Sequence, residues 1–450
     1  MSTRSSAPSG ASRREFLRTT GQAAAATAAM AAVTQPAKSR AAQSNQRLVI
    51  GLIGPGGMGT NHLQLLARND VVDLRYVCDV DQQRLDAAVQ SAAKLSGRAP
   101  KAVSDMRKVL DDKSVDAVWI ATPDHWHAPA AILACNAGKH VYVEKPCAHN
   151  VREGRLMIEA AHRNKRVVQV GTQSRSTATI MKAMDRLREG AIGEVLVAKA
   201  WNSQRRRTIG HVKPTAPPAH LDYDTWLGPA PYAPYRTNVV HNNWRWWLAF
   251  GGGDMGNDGV HDIDIARWGL GVESHPSRVA ALGGKYFFDD DQQFPDTQYV
   301  ICEYAPAGGK GHAKQLIFEQ RIWSPYVQEG HENGNAFYGT KGMLVLGKKS
   351  GYQLFGPRNK LIENVVAESG PDLAAHHKNF IDCVRSGELP HANIEVAHLS
   401  ASICHLGNLA TRTGRVLHFD PKREEIVGDE EAARQVRREY RDHWASPVGV

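Results

Sequence analysis

Residues 54–59 read Gly54-Pro55-Gly56-Gly57-Met58-Gly59, between an apolar run at 47–54 and a helical pattern at 58–68. At such a strand-to-helix junction Gly54 serves the tight turn, Gly56 lets a pyrophosphate approach the backbone, and Gly59 lets the helix pack close to the strand. The helix that opens at Gly57-Met58 turns unpaired N–H groups toward the phosphates. An acid follows at the distance this turn calls for: Asp79, twenty residues beyond Gly59, near the end of the strand-like run at 72–80. A carboxylate there accepts hydrogen bonds from ribose 2′- and 3′-hydroxyls and repels a 2′-phosphate. The pattern favours NAD, with NADP the less favoured alternative because Arg84 follows nearby.

The alternation that begins at this turn continues. Strand-like runs at 117–122, 140–146 and 166–173 alternate with helical patterns at 81–95, 105–110, 127–138 and 150–163. Residues 44–173 are expected to form a Rossmann domain, an α/β unit with a doubly wound parallel sheet. After residue 174 the texture changes. A helix at 177–189 and a strand at 195–202 precede a stretch rich in proline and aromatic residues at 211–247. Strand-like runs follow at 278–288, 297–304, 314–323, 336–346 and 352–355, and Gly339-Thr340-Lys341-Gly342 suits a hairpin turn. Successive strands without crossover helices imply an α+β domain over 174–412 with an open, mostly antiparallel sheet. Helical patterns at 373–384 and 394–411 close it, and 413–450 is expected to be a charged surface extension.

The first 43 residues read as an address rather than as fold. Arg13-Arg14 precede Phe16-Leu17, an alanine-rich run at 23–33 and the small residues Ala41-Ala42. This pattern matches a Tat-type export signal and so implies the Tat export machinery and a periplasmic or otherwise exported product. The run is too short and too weakly apolar for a stable membrane span. Six basic residues (Arg4, Arg13, Arg14, Arg18, Lys38, Arg40) against Glu15 place +5 of the formal +9 in this leader, leaving about +4. That ordinary charge, without a basic stripe, excludes a nucleic-acid partner. The six cysteines lie far apart without metal-ligand spacing, and several sit in apolar runs that suit buried thiols.

Three further motifs carry a resemblance. Ala121-Thr122-Pro123-Asp124-His125-Trp126-His127, Glu144-Lys145-Pro146, and Gly251-Gly252-Gly253 followed by Asp258-Gly259-Val260-His261-Asp262-Ile263-Asp264 occur in this order. Together they resemble the signatures of the Gfo/Idh/MocA oxidoreductases over residues 47–412. The resemblance implies a Rossmann domain followed by an open sheet whose outer face often serves oligomerisation, so a homo-oligomer is expected. It implies cofactor contacts from Thr122, Pro123, His125, Trp126, His127, Glu144 and Lys145, besides Gly54, Gly56, Gly57, Met58, Gly59 and Asp79. It requires no metal.

The chemistry agrees with the resemblance. Oxidising a secondary alcohol needs a hydride acceptor and a group that removes the hydroxyl proton. Lys145 ends a strand, where open α/β sheets bind ligands, and can hydrogen-bond the reacting oxygen and stabilise alkoxide charge. His261 is the second catalytic candidate and Asp258 the third. The family usually has an aspartate four residues before this histidine; here Asn257 stands there, with Asp258 one residue on. A neighbouring carboxylate would fix the imidazole tautomer and raise its basicity. Six of the ten tryptophans fall between 201 and 268, and flat aromatic faces suit sugar rings. Trp247, Arg245 and Asn257 are the substrate-binding candidates. The expected activity is hydride transfer between tightly bound NAD(H) and a secondary hydroxyl of a sugar, cyclitol or related polyol. One alternative is a redox-neutral NAD-dependent glycosidase that works by transient oxidation and elimination. Another is a carbohydrate-binding or sensory protein without turnover.

Overall fold

The computed structural model describes residues 47–324 and 326–449, and the leader expected over 1–43 lies outside them. The N-terminal half runs β1 (Leu48–Ile53), α1 (Met58–Ala67), β2 (Val72–Cys78), α2 (Gln82–Ser96), β3 (Lys101–Val103) and α3 (Arg107–Asp111). It continues through β4 (Ala117–Ile120), α4 (Asp124–Asn136), β5 (His140–Val143), α5 (Val151–Asn164) and β6 (Val168–Val170). All six strands are parallel, in the order β3-β2-β1-β4-β5-β6. Every residue of β4 is buried, as expected for a parallel strand with helices over both faces. Asp81 caps α2 by accepting the Arg84 N–H, and Asn150 caps α5 by accepting that of Glu153.

Two expectations here need correction. The edge strand β3 carries no apolar run, only Lys101-Ala102-Val103 with two exposed positions, so periodicity misses it. Helix α4 opens at Asp124, not at residue 127, because Pro123 sits in extended conformation as its N-cap.

The second half begins with α6 (Ala178–Arg188), β7 (Val195–Asn202) and α7 (Tyr223–Leu227), and a π-helical turn at Met255–Gly259 leads into α8 (Val260–Leu270). Strands β8 (Arg278–Gly284), β9 (Thr297–Tyr304), β10 (Lys314–Arg321), β11 (Asn333–Gly339), β12 (Met343–Gly347), β13 (Gly351–Phe355) and β14 (Leu361–Val366) follow. The chain then forms α9 (Leu373–Ser386), α10 (Ile394–Thr413), β15 (Leu417–Asp420), β16 (Glu425–Val427) and α11 (Glu430–Arg434). Ten strands make one open sheet, β14-β13-β12-β11-β7-β10-β9-β8-β15-β16. Only the β7–β10 pair is parallel. The run expected at 336–346 is two strands, β11 and β12, turned at 339–342. β14 went unrecognised because it is an edge strand with alternating exposed positions and no matching apolar face.

Helices α8 and α10 cover one face of this sheet, with Ile263, Phe318, Phe337, Leu344 and Ile403 in its core. The sheet and the Rossmann half share one compact body from Leu48 onward. Ile394, Ala397 and Ala401 of α10 complete the apolar cluster beneath α4 and α5. The C-terminal stretch is not a surface extension. β15 pairs with β8, and Tyr440 and Arg441 bond back to Glu153 and Asp224. Ala445 is buried in the α4–α5 cluster. None of the described helices is long and apolar enough to cross a membrane.

Candidate active site

Gly54 leaves β1 at φ 81°, and a Cβ on it would lie 2.8 Å from the Ala121 carbonyl oxygen. On Gly59 a Cβ would lie 1.9 Å from the Gly54 oxygen, so α1 packs directly on the turn only because both residues are glycine. Among the described residues no side chain caps α1; the Gly59 and Thr60 N–H groups donate to the Gly56 (2.9 Å) and Gly57 (3.1 Å) carbonyls, and the helix opens beside a cavity of about 360 Å³. Gly54, Gly56, Gly57 and Met58 line this cavity, and Asp79 stands beside them at the end of β2. Burial pushes the Asp79 carboxyl up to about 6, although the Asp81 N–H and the Arg84 charge oppose it. Gly59 lies behind the turn and acts through packing.

At the other end Thr122, Pro123, Glu144, Lys145, Arg245 and Asn257 line the same cavity. The Lys145 ammonium donates to the Asn257 carbonyl at 2.5 Å, so the strand end after β5 reaches across to the π-helical turn of the other half. Behind it, the Lys145 N–H donates to Glu144 Oε2 (3.2 Å) and Glu144 Oε1 pairs with His62 Nε2 (3.0 Å). Burial opposes the Glu144 charge, yet the His62 hydrogen bond and the nearby Lys145 outweigh it and hold the carboxyl at about 2. Glu144 is thus a fixed anion beneath Lys145.

His261 stands one residue into α8. Burial, with the Lys145 and Lys348 charges, drives its imidazole down to about 3, so it is neutral at physiological pH. Among the described residues no hydrogen bond is made to its ring. Asp258 does not partner it: Asp258 Oδ2 accepts from Asn333 Nδ2 (2.9 Å) and Arg206 Nη2 (3.4 Å). Lys348, His261 and Arg206 hold the Asp258 carboxyl well below the usual range against its burial. Asp258 is thus bound by a strand and a loop and does not orient the His261 imidazole. Asn257 directs its amide to Asp254 Oδ1 (3.2 Å), and Asp254 also binds Arg206 (2.9 Å) and Asn202 (2.8 Å).

Other candidates divide. Trp126 and His127 line the cavity. His127 is pinned between the carbonyls of Pro146 (2.7 Å) and Thr122 (2.8 Å), which fixes the loop after β4. His125 turns away: its Nε2 meets the Trp226 carbonyl at 2.9 Å in a fully buried position, so it braces α4 rather than a cofactor. Trp247 donates to the Asn238 carbonyl (3.2 Å) beneath Arg236, so it packs a loop and takes no part in the cavity wall.

A family model described as "Oxidoreductase family, NAD-binding Rossmann fold" matches residues 48–172. A second, "Oxidoreductase family, C-terminal alpha/beta domain", matches 199–299 and 329–446. The chain belongs to the Gfo/Idh/MocA oxidoreductase family. Among solved structures the fold is similar to levoglucosan dehydrogenase in complex with NADH and levoglucosan. That match has 21% identity and a TM-score of 0.63 over 82% of this chain and 99% of that one. Aldose–aldose oxidoreductase from Caulobacter crescentus, complexed with glycerol, is similar at 18% identity and TM-score 0.63 over 83% and 100%. A glycosyl hydrolase family 109 protein from Shewanella baltica (strain OS185) is 30% identical over 207 residues, 42% of this chain and 45% of its own length. The alpha-N-acetylgalactosaminidase of Shewanella oneidensis is 30% identical over 155 residues, 34% of each. The chain spans less than half the length of the curated relatives it matches.

As a Gfo/Idh/MocA oxidoreductase the protein takes NAD, and its residues fit that group. The glycine turn and uncapped α1 suit the pyrophosphate, Asp79 suits the ribose, and Lys145 stands at the far end. Sequence reasoning missed Asp124, whose Oδ2 is buried without a partner at the cavity wall and whose carboxyl burial pushes up to about 7. It lies inside a motif already recognised, but nothing in sequence shows which motif side chains turn inward. Arg206, Asp254 and Lys348 were missed because Arg206 meets Asp254 and Lys348 meets Asp262 only across long sequence separations. Away from the cavity, His275, His398 and Glu424 bring three metal-ligating side chains within 4.8 Å of one another. The Arg155 guanidinium already bonds the same Glu424 oxygen, so the cluster is a buried ion pair.

Proposed function

We propose that this protein is an exported oxidoreductase that holds NAD tightly and oxidises or reduces a secondary hydroxyl of a sugar, cyclitol or related polyol. The observation that carries this reading is the Lys145 ammonium, anchored on Asn257 at one end of a cavity whose other end is the glycine turn and Asp79. When bound, NAD supplies the hydride acceptor. Lys145 hydrogen-bonds the reacting oxygen and stabilises its developing charge, with the Asn257 carbonyl orienting the ammonium and Glu144 holding the Lys145 backbone. His261, neutral and without a hydrogen-bond partner among the described residues, is the acceptor we assign to the hydroxyl proton, its basicity held low by burial and the Lys145 and Lys348 charges. Trp244 and Arg245, both at the cavity wall, are placed for a sugar ring and its hydroxyls.

The substrate class draws support from the names of the similar structures, a levoglucosan dehydrogenase and an aldose–aldose oxidoreductase. A second reading, a redox-neutral glycosidase, is favoured by the family 109 relatives. The test is to purify the protein, quantify the nucleotide it retains, and present a panel of glycosides and polyols. A change in the absorbance of the bound cofactor with a free polyol supports the dehydrogenase. Release of sugar from a glycoside without net NADH selects the glycosidase.

Export rests on the twin arginine of the leader. Replacing Arg13 and Arg14 by lysine should leave the precursor in the cytoplasm, and normal delivery of that variant would reject Tat transport. Assembly with further copies is supported by the outer face of the ten-stranded sheet, where Leu282, Tyr299, Ile301 and Tyr338 stand exposed. Light scattering in solution that finds only monomer would reject it.

A further inference from the structure

Trp444 lies near the end of the chain, yet its indole lines the nucleotide cavity. It is 40% exposed, which is unusual for a tryptophan clamped from several sides. The Arg107 guanidinium lies 4.5 Å from its ring centroid, the Trp126 ring 5.8 Å away and the His443 ring 4.9 Å away. Its position is built by the tail itself. Arg438 donates to the Ala249 carbonyl (3.1 Å), Tyr440 to Glu153 (2.7 Å), and Arg441 bonds Asp224 and the Gly228 carbonyl. On the other side Ala445 is buried and Arg152 donates to the Gly449 carbonyl (2.9 Å). The indole is therefore held in place before any ligand arrives.

The strand order identifies the end of the cavity at which it stands. β3 pairs with β2 so that Val103 lies beside Cys78, and the Asp79 N–H donates to the Val103 carbonyl (3.3 Å). Ser104 and Asp105, the next residues after β3, therefore emerge beside Asp79, and both line the cavity. Asp105 pairs with Arg107 at 2.7 Å, and Arg107 is the residue that covers Trp444. Trp444 is thus linked to the Asp79 end, where a ribose and its base belong, and Lys145 lies at the other. A purine presents a flat apolar face, and such faces stack on indole rings whatever the base.

We propose that Trp444 is a cofactor-binding residue, its indole carried by the C-terminal tail to the adenine of NAD, where it retains the nucleotide. This rests on the NAD assignment alone and is independent of the sugar. The tail thereby becomes part of the nucleotide site, and the ring closes the adenosine end from the side opposite Asp79. A protein that keeps its cofactor through repeated turnovers gains a slower release from each such wall.

The test uses the full mature chain, stripped of nucleotide, and two fragments of NAD: ADP-ribose, which carries the adenine, and nicotinamide mononucleotide, which does not. Trp444→Ala and Trp444→Leu should weaken ADP-ribose by on the order of 10- to 100-fold and speed release of NADH alike, whereas Trp444→Phe should retain most of the affinity. Nicotinamide mononucleotide should bind all variants as it binds the wild type. Melting temperatures of the stripped proteins should agree, and the Leu–Phe pair decides should the Ala variant not fold. Unchanged ADP-ribose affinity in the Leu variant, or equal loss in the Leu and Phe variants, overturns the proposal. Failure of ADP-ribose to bind the wild type overturns instead the NAD assignment on which it rests.

Discussion

Titrating NAD onto the stripped protein between pH 5 and pH 8 should give a dissociation constant that falls about tenfold, most of it below pH 7. The cause is Asp79. Burial raises its carboxyl from 3.8 to about 6, against the Asp81 N–H and the Arg84 charge and with the Asp81 charge adding to the rise. Only the ionised form accepts two ribose hydroxyls, and with a value near 6 about one molecule in ten is ionised at pH 5. The sign for stability runs the other way. A carboxyl raised in the folded state costs nothing below its ordinary value, and the cost grows as pH rises toward 6 and then stays. A shift of about two pH units corresponds to roughly 3 kcal/mol. Asp79→Asn keeps an oxygen for the Asp81 N–H, which Asp79 Oδ1 now receives at 2.9 Å. That variant should therefore melt higher at pH 8 while binding NAD about 1.5–3 kcal/mol more weakly and with a much flatter pH profile between 5 and 6.5. Calorimetric titration and thermal melts at four pH values read both effects. A flat affinity profile in the wild type, or wild-type NAD affinity in Asp79→Asn, would refute this account of the ribose site.

Gly59→Ala should destabilise the fold by about 1–3 kcal/mol in denaturant melts and abolish NAD retention, since its Cβ would meet backbone 1.9 Å away. Lys145→Ala and His261→Ala should each lower turnover of a verified substrate by roughly 10²–10⁴-fold, and mass spectrometry should find NAD still bound in both. Asn257→Asp replaces a hydrogen bond to Asp254, 3.2 Å long, by repulsion between carboxylates. It should lower the melting temperature at pH 8 by the equivalent of about 1–3 kcal/mol, and a gain in turnover without that loss would contradict the geometry.

The nucleotide end was legible because its requirements are local. A turn that needs two glycines and a carboxylate at the next strand end leaves its mark within about thirty residues. The catalytic end was legible only as a set of motifs. Lys145 and Asn257 meet across a sequence separation of 112 residues, and no pattern records which carbonyl an ammonium will find. The strands β3 and β14 escaped because edge strands bury too little to need an apolar rhythm. The tail, read as charged surface, conceals its role for the same reason. Tyr440, Arg441 and Trp444 are polar or amphipathic residues whose partners, Glu153, Asp224 and Trp126, lie more than two hundred residues away in sequence.

The replacement of an acid by Asn257 takes on a physical meaning once the partners are known. The segment from Asp254 to Asp262 holds three carboxylates, and each is met by a residue from elsewhere. Arg206 and Asn202 bind Asp254, Asn333 and Arg206 bind Asp258, and Lys348 binds Asp262 at 2.8 Å. A fourth acid at 257 would stand against Asp254 with no further cation among these partners. The amide instead ties the turn to Asp254, while the backbone carbonyl of Asn257 accepts from Lys145. His261 is then left as the neutral ring of this segment without a protein hydrogen bond, facing the charges of Lys145 and Lys348 that keep it unprotonated. Burial and the Lys145 charge together keep this ring neutral, so the two candidate residues, one from each half, influence each other electrostatically.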